Sequence, residues 1–185
     1  MNLSKYQSQV VYDAIGYSDL NHALHALVVS VGELSRWSSV QMSCNVHNEH
    51  VDLNNDKFAA YIGHVWYNLA IIAVLLGIPL EALELYSKIV DAKGRHFSYW
   101  TLKLVSTIGD LHRVYVKYVE SNGTPSIKEI HSMHKWEYGD NIRSQLADQC
   151  VLVMHLLYRL QASLHLATES ILENDIVRRY NNERD

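Results

Sequence analysis

Apolar residues recur along the chain at spacings of three and four, the period of one helix face, and no alternating run is long enough for a strand. The pattern predicts a first helix over about 3–15, with Val10, Val11 and Ala14 apolar and Gly16 as its stop. A second runs from about Asp19 to Val40, with Ser18 or Asp19 able to cap it. The polar stretch SCNVHNEHVDLNN (43–55) reads as a loop. A third helix covers about Asn55 to Leu76 and stops at Gly77; a fourth opens at Pro79, a favoured first-turn residue, and ends near Gly94. The second half predicts a helix from about His96 to Glu120, then the loop SNGTPSIKEIHSMHKWEYGD (121–140). A long helix over about Asn141 to Gln161 follows, and a last one from Ser163 to about Tyr180. The predicted fold class is all-α.

Phe58 to Leu80 is a run of 23 residues without a formal charge, long enough to cross a bilayer. It contains His64, Asn68, two glycines and Pro79, and its counterpart in the second half carries Asp148 and Arg159. Such interruptions predict a buried helix of a bundle rather than a span, so no membrane partner is expected.

The two halves also match in sequence. ALVVSVGELSRW (26–37) lies over KLVSTIGDLHRV (103–114) at a shift of 77, with eight of twelve positions identical or conservatively changed. The following helix aligns at a shift of 84, His64 onto Asp148, and the same shift sets Leu80 on Leu164 and Arg95 on Arg179. The reading is two copies of one helical unit, 1–95 and 96–185, packed together as a single-chain pseudo-dimer.

Composition narrows the function classes. Hydrophobic residues make up 48% of the chain, ample for a core. A net charge of −4 supplies no basic stripe for duplex nucleic acid. Cys44 and Cys150 lie far apart with no CxxC spacing, which fits a reducing compartment and no structural zinc. The N-terminus lacks the apolar core of a signal peptide, so the expected location is cytoplasmic.

VSVGEL (29–34), YIGHVWY (61–67) and LGIPLEALELYSK (76–88) in the first half, with STIGDL (106–111) and QLADQ (145–149) in the second, resemble the MazG-like nucleotide pyrophosphohydrolases. That family carries EExxE on one helix, ExxD on the next, and then LGIxLEEA followed by basic residues. The resemblance implies carboxylates aimed at one spot between packed helices, holding Mg²⁺ that neutralises a triphosphate and helps to generate the attacking hydroxide. Here the acids are thinned. The first half keeps Glu33 and has Val29, Ser30, Tyr61 and His64 at the other positions. The second keeps Asp110 and Asp148, with Ser106, Thr107 and Gln145 elsewhere.

The resemblance therefore implies catalytic candidates Asp110, Asp148 and Gln145, metal candidates Asp110 and Asp148, and Glu33 and His64 as a vestigial metal set. Lys88, Arg95 and Arg179 would reach substrate phosphates, or else complement helix dipoles in their last turns. Glu33 and Asp110 could equally be relics paired within a polar pocket. His22, His25, Glu33 and His64 allow a zinc reading. Trp37, Trp66, Trp100 and Tyr67 are expected in the core rather than stacked on a base. The loop at 122–139, with His131, His134 and Trp136, matches no known motif.

Three functions follow. The first is a degenerate MazG-like protein that binds a nucleotide or other small molecule without standard Mg²⁺-dependent activity, and needs no cofactor. The second is an active pyrophosphohydrolase with a reduced Mg²⁺ site in the second half. The third is a structural module for protein partners. A homodimer is compatible with each.

Overall fold

The computed structural model describes residues 1–14, 19–46, 55–87, 95–133 and 141–182, and among them lie eight α-helices and no strand. They are α1 (Leu3–Ala14), α2 (Leu20–Val46), α3 (Asn55–Leu76), α4 (Leu80–Ser87), α5 (Phe97–Asn122), α6 (Ile127–Ser132), α7 (Ile142–Ser163) and α8 (Thr168–Asn182). The all-α bundle expected from the periodicity is the fold.

α3 is apolar on every side, and a helix of that kind must be covered on every side. It packs against α1, α2, α6, α7 and α8. Ile62, Val65, Trp66, Leu69, Ile72 and Leu76 are all fully buried. It is the one described helix long and apolar enough by itself to cross a membrane, and 72% of that window is buried inside the protein. Trp66 meets Tyr158 of α7 edge to face at 5.4 Å, and the Tyr158 hydroxyl donates to Glu84 of α4 at 2.9 Å.

The remaining packing runs both within and between the halves. α2 lies along α3 and α5 along α7, while α4 packs on α7 and α8 on α3. α2 and α5 run antiparallel, with the His25 and His112 rings 5.3 Å apart and Asn21 beside Val119 and Glu120. Exchanging α2, α3 and α4 for α5, α7 and α8 maps these packed pairs onto themselves.

The turn after α3 is a complete Schellman motif. Gly77 takes φ +65°, its N–H donates to Val74 O at 2.9 Å, and Ile78 N–H donates to Ala73 O at 2.8 Å. The turn after α7 repeats it: His165 takes φ +55°, with bonds from His165 to Ala162 at 3.3 Å and from Leu166 to Gln161 at 2.9 Å. The two turns stand 88 residues apart, LGIPLEA (76–82) against LHLATES (164–170), four residues or about one helical turn beyond the shift of 84. Leu164 accordingly caps α7 instead of opening the last helix.

Other boundaries differ for identifiable reasons. α2 continues to Val46, four residues into the expected loop after Met42. The loop read over 121–140 contains α6, started by a capping box in which Ser126 Oγ accepts from Glu129 N–H and Glu129 accepts from Ser126 N–H. His134 and Trp136 fall outside the described residues.

α6 and α7 also close the exposed carbonyls at the end of α3. Arg143 donates to Leu76 O at 2.8 Å, Gly77 O at 3.0 Å and Met133 O at 3.2 Å, and His131 Nε2 donates to Leu75 O at 2.9 Å. From the other side Gln7 of α1 donates to Ile78 O and accepts from Leu80 N–H, both at 2.8 Å. Arg143→Met removes three charge-assisted bonds to α3 and its neighbours, and urea unfolding should show a loss of about 1–3 kcal/mol.

Candidate functional site

The buried acid of the described residues, Asp175, lies where α8 crosses α3. Asp175, Arg178 and Arg179 share one face of α8 at i, i+3 and i+4. Asp175 is 1% exposed, and a carboxylate at that depth needs partners. Tyr6 of α1 donates to its Oδ2 at 2.8 Å. Arg179 donates to Oδ2 at 2.9 Å and to Oδ1 at 3.3 Å, and Arg178 Nη2 stands 3.8 Å from Oδ1. The Arg179 guanidinium also lies 3.1 Å from the centroid of the Tyr67 ring, a cation–π contact.

Gly63 makes this crossing possible. A Cβ there would stand 3.0 Å from Arg178 Nη2 and 3.3 Å from Asp175 Oδ1. Without it, Arg178 reaches the α3 backbone and donates to Ala60 O at 3.4 Å. Two guanidinium groups thus share one carboxylate, leaving the crossing with an excess of positive charge. Burial, and then the neighbouring Asp175 carboxylate, holds the Tyr6 phenol well above its usual range, so Tyr6 stays a donor.

Beside this network lies the α2–α3 face on which the sequence sets the thinned acid motifs. His64 is half-buried, and its imidazole is pushed below the usual 6.5, first by burial; Arg178 and Arg179 push the same way against Asp175 and Glu33. Its ring meets Tyr61 edge to face at 6.4 Å, and Tyr61 in turn lies 6.3 Å from Trp37 of α2. The Lys57 ammonium sits 4.9 Å above Trp37. One turn further, the Asn68 amide donates to Ser30 Oγ at 2.6 Å and to His64 O at 3.0 Å, which closes the buried part of the face with neutral groups.

The sequence-derived candidates separate. Arg179, His64 and Glu33 are brought to this one region, where Arg179, in the last turn of α8, binds Asp175. Glu33 is exposed, and Asp110 is ion-paired with Arg113 on the surface, so neither is held within a polar pocket. Asp148 and Gln145 are exposed on α7. Arg95 lies outside α4, just before the α5 cap His96, with its guanidinium 4.8 Å from the Tyr99 ring. Lys88 falls outside the described residues. Among those residues no three His, Cys, Asp or Glu side chains gather into a set that could hold a metal ion. That covers the histidine set with Glu33. Trp66, Trp100 and Tyr67 are buried as expected, whereas Trp37 is only half-buried. Cys150 is fully buried and its thiol is pushed up to about 12.

Asp175 was missed from the sequence. Its signal was an acid on the apolar stripe of α8, one turn before an arginine, with Ile171 and Leu172 buried on the preceding turn. No family model, curated protein or solved structure matches the chain.

Asp175→Asn keeps the shape but leaves two guanidinium groups without their counter-charge. Breaking a fully buried pair costs ~3–5 kcal/mol; with both arginines partly solvated, about 2–3 kcal/mol is expected in denaturant unfolding. The lowered His64 value gives a pH dependence. The unfolded chain takes up this proton more readily than the folded one, so the contribution is present above 6.5 and is lost as pH falls through the folded value. Melting temperature should therefore drop on acidification from neutral pH, and His64→Gln should flatten that slope.

Proposed function

We propose that the chain is a degenerate MazG-like protein, built from two fused helical units, that binds an anionic nucleotide or related small molecule without metal-dependent hydrolysis. The observation that carries this reading is the α3–α8 crossing. Among the described residues Arg178 and Arg179 share the one carboxylate of Asp175 there, next to the face where the family's acids are replaced by Ser30, Tyr61 and His64. In the family, metal ions neutralise the phosphates between such helices; at this crossing the chain's own guanidinium groups supply the positive charge. The half-exposed Trp37 and Tyr61 rings offer a surface on which a base can stack, with Lys57 above Trp37.

The symmetric set of packed helices supports the fused-dimer reading. α4 of the first half covers α7 of the second, and α8 of the second covers α3 of the first, so each unit is completed by the other.

Thermal shift with a panel of nucleoside mono- and triphosphates, in EDTA and in Mg²⁺, tests the proposal. Stabilisation in EDTA that is lost on Arg178→Gln is the expected result. An absence of stabilisation by any nucleotide overturns nucleotide binding. Mg²⁺-dependent pyrophosphate release that disappears on Asp148→Ala overturns the non-catalytic reading in favour of a working site in the second half.

A further inference from the structure

On the opposite side of α2 from α3, an open groove of about 390 Å³ runs along the seam with α5. Val28, Val31 and Gly32 form one wall, and Val105, Ile108 and Gly109 the other. These are matching positions in the two aligned segments, each pair 77 residues apart. The His25 and His112 rings close one end, while Leu102, one turn before Val105, stands 66% exposed toward the other.

The two glycines are the telling residues. Glycine inside a helix weakens it relative to alanine, so a mid-helix glycine is usually explained by close packing. Neither Gly32 nor Gly109 is, because a Cβ built on either meets nothing within 4 Å. What both positions supply is open space, and it is the same space. Val28 and Val105 flank it at 40% exposure each, an apolar lining left in contact with water.

The groove is polar at one end only. His25 aligns with Leu102 and His112 with Ser35, so the imidazole pair has no counterpart at the far end. Among the described residues no carboxylate lines the groove: Asp110 of α5 is engaged by Arg113, and Glu33, next to Gly32 on α2, is not part of the lining. An apolar trough ended by two imidazoles, with no acid to compete, suits a molecule with an aliphatic tail and an anionic head.

We propose that the α2–α5 groove binds an aliphatic carboxylate, its tail along the valines and glycines and its head on the His25–His112 pair. This site is separate from the α3–α8 crossing and stands whether or not that crossing binds nucleotides.

Calorimetric titration of the full chain with decanoate tests it, with decanol and decylammonium in parallel. Decanoate should bind, and more tightly than either analogue by about tenfold. Gly109→Leu and Gly32→Leu fill open space, so they should keep the helical spectrum and the melting temperature while weakening decanoate by about tenfold or more. His25→Leu with His112→Leu should abolish the preference over decanol and leave the tail affinity. No decanoate binding overturns the proposal, as does binding that the leucine variants leave intact. Equal affinity for decanol and decanoate overturns the carboxylate assignment. Sedimentation as a dimer that Gly109→Leu dissociates overturns it too, because a second copy of the chain would then be what covers the groove.

Discussion

The structure depends on burying α3 from all sides. A helix with Phe58, Ile62, Trp66, Leu69, Ile72 and Leu76 in its sequence has no face that water tolerates, and one neighbouring helix covers only a stripe. Its own half supplies α1 and α2; α6, α7 and α8 come from the second half. The two halves are thus held together by the same apolar area that folds each of them, and neither would keep α3 dry alone. Loss of the second half would expose the α3 surface now under α7 and α8.

Complete burial also decides where polar groups can survive. A polar side chain on or against α3 gains from a partner, because the water it would otherwise use has been expelled, and the Trp66 indole N–H is left buried without one. Asn68 finds Ser30 and the His64 carbonyl, Asp175 finds Tyr6 and Arg179, and the end of the helix finds Arg143 and His131. Gly63 and Gly77 are the two places where α3 gives up a side chain so that an arginine can approach its backbone. The polar contacts of α3 therefore gather at the α8 crossing, at the helix terminus and at the Asn68–Ser30 pair against α2, and the site proposed for anions lies at the crossing.

Much of this was legible in the sequence because helix periodicity reports burial directly. The order of the long helices, the central place of α3 and the burial of Trp66 and Trp100 all follow from apolar spacing. The ambiguity in register has the same origin. Four residues make nearly one helical turn, so alignments at shifts of 84 and 88 place the same face inward, and periodicity cannot tell them apart. Only the left-handed residues Gly77 and His165, with their Schellman bonds, separate the two shifts, and a histidine at such a position gives little warning. Asp175 escaped for a different reason. Its partner Tyr6 is 169 positions away, and no local pattern encodes a contact of that range. α6 was short but readable, since Ser126 and Glu129 have the spacing of a capping box.

On the proposed MazG-like ancestry, burial also accounts for which acids remain. Without a metal ion, a carboxylate in a dry position costs several kcal/mol, whereas one in water costs almost nothing. The acids still present at motif positions, Glu33, Asp110 and Asp148, all keep contact with solvent. Ser30, at a position where the family has glutamate, is 6% exposed and now accepts from the neutral Asn68 amide. A glutamate there would set a buried charge against the neutral Asn68 amide, so a neutral hydroxyl is the more stable occupant once the metal is gone. Val29 is 60% exposed, and nothing in the structure explains its replacement. The positive charge has meanwhile moved to α8, where Asp175 is the one buried acid that two guanidinium groups hold in place. Reversing the change at Ser30 alone would then return a buried carboxylate but not the ions that once balanced it. Ser30→Glu should destabilise the bundle without restoring hydrolysis, and Mg²⁺ should relieve little of the loss, because the remaining acids of this face do not converge on the same point.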